Sequence, residues 1–175
     1  MLIIKILVGL LLLPVAIYLV LALALGREGL LERVFGPIDR QPVNFTTLKL
    51  KPSPNQYLVC PPGHCAAQPH AESPVFDVPR EQLREAWFRV LEQRPRVRLL
   101  ASDRENEQYE WEARTAVLLF PDTVTVRFIP LEGDRSTLAI YSRSHYGYGD
   151  LGVNQSRVTD WLQRLRQELE RRPPG

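Results

Sequence analysis

The chain has little net charge and few lysines, and both scarcities limit what it can be. Its 22 Lys+Arg and 20 Asp+Glu residues leave a net charge of +2 in 175 residues. A balance so close to neutral provides no global field for nucleic acid, so no nucleic-acid partner is expected. Lysine occurs only at Lys5, Lys49 and Lys51, and all other formal positive charge is arginine. This bias is typical of a GC-rich genome and indicates a bacterial source.

Motifs for catalysis are also scarce. The chain has no Gly-x-Ser-x-Gly elbow, and neither of its cysteines belongs to an identifiable nucleophile–base motif. The only histidines are His64, His70 and His145. Carboxylates such as Asp122 and Asp150 fit strand faces and turns at least as well as an acid–base pair. The sequence therefore favours a protein without catalytic residues and without a cofactor.

One long apolar run lies at the N-terminus. Residues 2–25 contain a single charge, Lys5. Residues 6–25 alone number about 20, the length that a helix needs to cross a hydrocarbon core of about 30 Å. A signal peptide has a shorter apolar region and ends at a small-residue cleavage site, which Ala22-Leu23-Ala24 resembles. The length favours an uncleaved anchor over residues 1–26 that inserts into the lipid bilayer, and a cleaved signal peptide is the alternative.

Two cysteines close together indicate the compartment. Cys60 and Cys65 are the only cysteines, and such a pair is expected to form a disulfide in an oxidising compartment. The C-terminal domain is therefore expected in the bacterial periplasm, behind a single span of the inner membrane. The alternative is zinc, bound by the two thiols with His64 and His70, but the spacing is a loose match and no second ligand pair exists. The disulfide is favoured, and no metal is expected.

Proline and glycine interrupt the next stretch, and periodic patterns follow it. Residues 27–72 are interpreted as a proline-rich tether, in which Val43, Phe45, Leu48 and Leu50 form a short apolar arm that packs on the domain. Residues 73–172 are interpreted as the folded domain.

Within the domain, the order of elements predicts the fold class. The patterns predict an edge strand at 74–78, a helix at 81–93, four strands and a helix at 154–170 with Asn154 as its N-cap. Short turns between strands imply an antiparallel meander. The predicted fold is α+β: a two-layer sandwich of an antiparallel four- to five-stranded sheet with two helices on one face.

The second predicted strand of the meander is long and has an apolar outer face. It runs from Tyr109 to Leu119 and turns at Pro121-Asp122. Ala116, Leu118 and Phe120 point outward, so they need cover from the arm or from another protein.

The stretch 141–154 joins the last strand to the last helix and is rich in polar, aromatic and glycine residues. Strand alternation places Ser142 and Ser144 on the helix side and Arg143 and His145 on the opposite side. Free amides at the helix N-terminus could bind an anion, with help from arginine. The candidate ligand- or partner-binding residues are Arg143, Ser144, His145, Tyr146, Tyr148, Asp150, Asn154 and Arg157. The alternative is structural: the glycines permit a tight connection, and Asp150 caps the helix or pairs with Arg143.

The segment from Arg143 to Arg157, with its Asp150-Leu-Gly-Val-Asn154 run, resembles the closing signature of domain-of-unknown-function family 1499, a family of uncharacterised bacterial envelope proteins. Pro52-Ser-Pro-Asn55 and Pro121-Asp122 match two further positions, and the resemblance covers about residues 45–170. The chain departs from the family at Gln56, where the family commonly has a cysteine. The resemblance implies a fold and an envelope location, and no reaction.

Together, these patterns favour a membrane-anchored, non-catalytic envelope protein that binds a partner protein or a small ligand such as an anion. The alternative is an envelope hydrolase or transferase that acts at the loop 143–157.

Overall fold

The computed structural model describes residues 13, 20, 26, 29–115 and 120–171. The chain divides into two compact units, Met1–Arg40 and Gln41–Gly175. In the first unit, residues 29–35 are helical. Most of the predicted anchor lies outside the described residues. Within the described ranges, no helix combines the length and the apolar character that a membrane span requires.

The second unit is an α+β fold built on one six-stranded sheet. Its elements are β1 (Gln56–Cys60), β2 (Ala71–Glu72), α1 (Arg80–Glu92), β3 (Val97–Asp103), β4 (Gln108–Arg114), β5 (Pro121–Pro130), β6 (Ser136–Ser144) and α2 (Val153–Arg171). The strand order is β2-β1-β6-β5-β4-β3. The pair β1–β2 is parallel, and the other neighbouring pairs are antiparallel.

The predicted antiparallel sheet of four to five strands is therefore wrong in strand number and in type. The additional strands, β1 and β2, come from the stretch that was interpreted as a tether, and β1 pairs with β6 inside the sheet. The predicted edge strand at 74–78 is reduced to a single bridge between Phe76 and Ser136.

The predicted long strand and its turn also differ from the structure. β4 ends at Arg114, and β5 already begins at Pro121. Two hydrogen bonds between Thr115 and Phe120 close the loop between β4 and β5. The Thr115 amide donates to the Phe120 carbonyl (3.1 Å), and Thr115 Oγ1 accepts from the Phe120 amide (3.0 Å). Ala116 and Leu118 fall on residues 116–119, outside the described part of the chain.

The main core lies between the sheet and the two helices, which pack on one face as predicted. Trp87 of α1 is fully buried and makes edge-on contacts with Trp111, Phe128 and Trp161. Because Trp161 belongs to α2, these rings join both helices to β4 and β5.

A second, smaller core lies on the opposite face of the sheet. The arm, residues 43–50, covers this face, and Phe45 packs there with Leu58 and Tyr141. The Phe45 carbonyl accepts from the Ala66 amide at 3.0 Å. The prediction of an apolar arm that packs on the domain is confirmed.

The Cys60–Cys65 disulfide borders the same face, with the two Cα atoms 6.3 Å apart. The predicted pairing of the two cysteines is confirmed.

Candidate functional site

The connection from β6 to α2 is held by a helix cap that the sequence assigned to the wrong residue. α2 begins at Val153, and Asp150 caps it: Oδ1 accepts from the Gly152 amide (3.0 Å) and Oδ2 from the Asn154 amide (2.8 Å). Asn154 as the N-cap is therefore wrong, whereas the structural alternative for Asp150 is confirmed. The amides at the start of α2, which could otherwise bind an anion, donate to this carboxylate.

Asn154 is instead a buried hub, with no exposed surface. Its Nδ2 lies within hydrogen-bonding distance of the Asn55 carbonyl (3.1 Å), Ser144 Oγ (2.9 Å) and Asp150 Oδ2 (2.6 Å). Asn55 in turn donates its side-chain amide to the Gly147 carbonyl at 2.6 Å. These contacts fix the start and the end of the loop to the segment that leads into β1.

The other side of Asn154 faces an arginine and a buried carboxylate. Its Oδ1 accepts from Ser142 Oγ (2.5 Å) and from Arg157 Nη1 (2.8 Å). Arg157 Nη2 donates to Asp122 Oδ2 at 2.5 Å. Burial raises the pKa of Asp122 above its usual value, and the adjacent Arg157 charge opposes that rise. The ion pair neutralises a carboxylate that water does not reach.

We call this hydrogen-bonded set the clasp. It consists of Asn55, Asp122, Ser142, Ser144, Asp150, Asn154 and Arg157. The clasp contains four of the eight candidate residues, and their polar groups are engaged with one another.

Arg143 and His145 lie on the opposite face of the sheet, as the alternation of β6 predicts. Arg143 is buried, donates to the Gln41 carbonyl (3.4 Å), and has its guanidinium carbon 5.5 Å from the centre of the Tyr141 ring. His145 Nε2 lies 2.5 Å from Thr123 Oγ1. The sheet therefore separates Arg143 from Arg157, and the two cannot approach one anion.

The two candidate tyrosines have different environments. Tyr146 is buried, with its ring centre 6.0 Å from that of Phe120. Tyr148 is 75% exposed, and in the same segment of the chain Leu151 is fully exposed and Val153 is partly exposed. We call Tyr148, Leu151 and Val153 the tip. Sequence reasoning missed two of these three residues, although an apolar residue between Asp150 and Gly152 was a usable signal.

Leu151 also has an unusual backbone, with φ at 53°. This left-handed conformation costs about 1–2 kcal/mol for a residue that carries a Cβ. The clasp residues on both sides, Asp150 and Asn154, hold it there.

The two histidines near the disulfide have different environments, and the Nε2 atom of His64 is buried without a hydrogen-bond partner among the described residues. His70 Nδ1 accepts from the Leu58 amide at 3.0 Å. Burial lowers the pKa of His64, and the positive charge of Arg127 lowers it further. In the described part of the chain, no group of three His, Cys, Asp or Glu residues is placed to hold a metal ion.

Comparison with known families agrees with the resemblance seen in the sequence. The model of a family described as "Protein of unknown function (DUF1499)" matches residues 42–165, so the chain belongs to this family. A comparison with curated proteins gives no match.

Proposed function

We propose that this member of the DUF1499 family is a membrane-anchored, non-catalytic module of the bacterial cell envelope, which binds a partner protein through the tip. In this proposal, residues 2–25 insert into the inner membrane, and the domain lies in the periplasm. The Cys60–Cys65 disulfide supports an oxidising compartment, and the apolar run at the N-terminus supports the anchor.

The observation that carries partner binding is Leu151. It is fully exposed, holds a left-handed backbone at a cost in free energy, and is flanked by clasp residues. Strained residues persist where the surrounding structure over-determines them, and they cluster at functional sites. The hydrogen bonds of Asp150 on either side of Leu151 hold its backbone in place, so little backbone entropy is lost when Leu151 enters an interface.

The geometry supports a protein partner better than a small anion. The Asp150 carboxylate occupies the amides at the start of α2, and Arg157 is paired with Asp122. An added anion at this place would compete with two carboxylates that are already bound.

The second candidate function is the hydrolase or transferase, favoured by one contact. The 2.5 Å separation of His145 Nε2 and Thr123 Oγ1 is short enough for a base and a nucleophile. However, Thr123 is only 4% exposed, so its hydroxyl is not presented to a substrate. The contact is better explained as part of the sheet face.

Photo-cross-linking in cells that naturally produce the protein tests the tip. A benzophenone amino acid replaces Leu151, and as a matched control it replaces Val75, an exposed apolar residue outside the tip. We expect a discrete protein adduct from position 151 only, and its identity is checked with the purified partner.

Leu151→Asp should weaken the binding of this partner about tenfold or more, because a leucine that becomes buried in an interface contributes about 1.5–3 kcal/mol. Equal adducts at both positions would rule out the tip.

Membrane fractionation tests the anchor and the compartment separately. The full chain is expected in the membrane fraction and the chain that starts at residue 27 in the soluble fraction. In spheroplasts, added protease should digest the domain of the full chain. Protection of the domain in intact spheroplasts, and digestion only after lysis, would place it in the cytoplasm instead.

A further inference from the structure

A groove of about 690 Å³ lies between α1 and β3, away from the clasp and the tip. Its apolar surface comes from Phe88, Leu99 and Tyr109, and the rings of Phe88 and Tyr109 meet edge-on at 5.1 Å. Leu99 pairs in register with the core residue Trp111 and so points to the helix side, yet it remains 47% exposed. The groove therefore leaves an apolar site partly uncovered.

The wall of the groove that α1 forms carries negative charge without a positive partner. Arg84 pairs with Glu107 (2.8 Å), and Arg89 pairs with Glu168 (2.7 Å), so these arginines are neutralised. Glu85 and Glu92 also line the groove from α1, and among the described residues neither has an ion pair. Arg104, which follows β3, also lines the groove without an ion pair in the part of the chain that the structure describes, so the negative charge is concentrated on the helix wall.

The other wall is a sheet edge. β3 is the last strand in the order, and in the described ranges no strand pairs with its outer side. Its outward N–H and C=O groups are thus available to an extended main chain. A bulge between Leu99 and Ala101 interrupts the ladder with β4 and limits an added strand to a short segment.

We propose that this groove binds an extended peptide segment of another protein, which adds as a strand to the edge of β3. Alternate side chains of an added strand face α1. One apolar side chain packs between Phe88 and Leu99, and lysine or arginine at neighbouring positions on the same face meets Glu85 and Glu92. The proposal does not depend on the tip.

A phage-displayed library of random linear peptides, panned on the full chain in detergent, tests this site. We expect enrichment of peptides with an apolar residue flanked at alternate positions by lysine or arginine. The selected peptide is then synthesised with a fluorophore, and its affinity is measured by anisotropy. Leu99→Asp should weaken binding about tenfold or more, because the apolar contact is lost. Glu85→Lys with Glu92→Lys should reduce the preference for basic peptides.

Matched controls separate this site from the tip. Val75→Asp and Leu151→Asp should leave the peptide affinity unchanged, while N-methylation of alternate peptide amides should abolish binding, because it removes strand donors. Equal enrichment on wild type and Leu99→Asp would overturn the proposal, as would binding that tolerates N-methylation at every amide. A wild-type dimer that Leu99→Asp dissociates would identify the occupant as a second copy and would also overturn it.

Discussion

At the residue scale, Asn154 shows how a polar side chain acts as a core residue. It has no exposed surface, and both ends of its amide are hydrogen-bonded within the clasp. Its partners come from Asn55, Ser142 and Arg157, so one amide ties together segments that are far apart in sequence. A structural role predicts that removing the Asn154 side chain lowers the stability of the domain. A role in binding alone predicts that the stability does not change.

Replacing Asn154 by alanine is expected to destabilise the domain by about 2–4 kcal/mol, because several buried groups lose their partner at once. Urea unfolding followed by circular dichroism measures this change. Gln155→Ala, on the exposed side of the same helical turn, is the control and should change stability by less than about 0.5 kcal/mol. A stable Asn154→Ala protein would mean that the clasp does not hold the fold.

The ion pairs of Glu112 predict how the stability of the domain changes with pH. It is 3% exposed and accepts from Arg98 (3.0 Å) and Arg114 (2.8 Å). Burial alone would raise the pKa of Glu112, but the hydrogen bonds and charges of the two arginines outweigh it and hold the pKa below the usual 4.5. A lowered carboxyl pKa contributes stability above the unfolded-state value and loses it as the pH falls through the folded-state value.

The wild type should therefore lose stability more steeply than Glu112→Gln when the pH is lowered from about 5 to about 3. Urea midpoints across that range measure the two slopes. The exposed Glu105→Gln provides the reference for a change of charge alone. Parallel curves for wild type and Glu112→Gln would show that the ion pairs make no net contribution.

At the scale of elements, the periodic segments were predictable and the buried strand was not. α1 and α2 have apolar residues at helical spacing, and β5 and β6 alternate, so each follows from its own sequence. The residues of β1 do not alternate between apolar and polar, because both faces of this strand are covered: Leu58 faces the arm and Val59 faces the helices. A strand that is covered on both faces reads as a short apolar run, and prolines at 54 and 61 made this run resemble a loop.

The candidate site, too, was predictable only in part. Alternation along β6 placed Ser142 and Arg143 on the correct faces. The clasp could not be predicted, because Asn55 and Asn154 meet only after β1 has paired with β6. The exposure of Leu151 follows from the cap at Asp150, which the sequence offered only as an alternative to a cap at Asn154.

The contribution of the disulfide to the free energy of unfolding can be measured directly. It closes a short ring between β1 and the segment that contacts the arm. For so short a loop, chain entropy predicts a loss of about 2 kcal/mol when the disulfide is removed. The double variant Cys60→Ser/Cys65→Ser should show this loss in urea. Reduction of the wild type should reproduce it and release two titratable thiols. Two thiols in the native protein isolated without reductant would contradict the disulfide.

At the scale of the whole molecule, the sheet has cover on both faces. The helices cover one face, and the arm with the disulfide loop covers part of the other. Phe45 is fully buried, although it lies in a stretch whose composition suggests a linker. The arm is therefore a third layer of the domain and part of its core.

A chain that begins at residue 41 is expected to fold, because Gln41–Gly175 forms one compact unit. A chain that begins at residue 51 lacks the arm and should unfold at much lower urea concentration. Phe45→Ala in the longer chain should cost about 3–5 kcal/mol, as for other buried aromatic residues. Val75→Ala, on the exposed surface, should cost little. Equal stability of the two truncated chains would show that the arm contributes nothing.

The clasp also determines how the domain would respond to mechanical load. A pull on the tip reaches Asp150 and Asn154 first, and from there it divides among the segment before β1, β5, β6 and α2. Force shared by several attachments in parallel exceeds what one hydrogen bond can bear alone. In the proposed function, tension between the membrane anchor and a partner bound at the tip would be shared by these attachments.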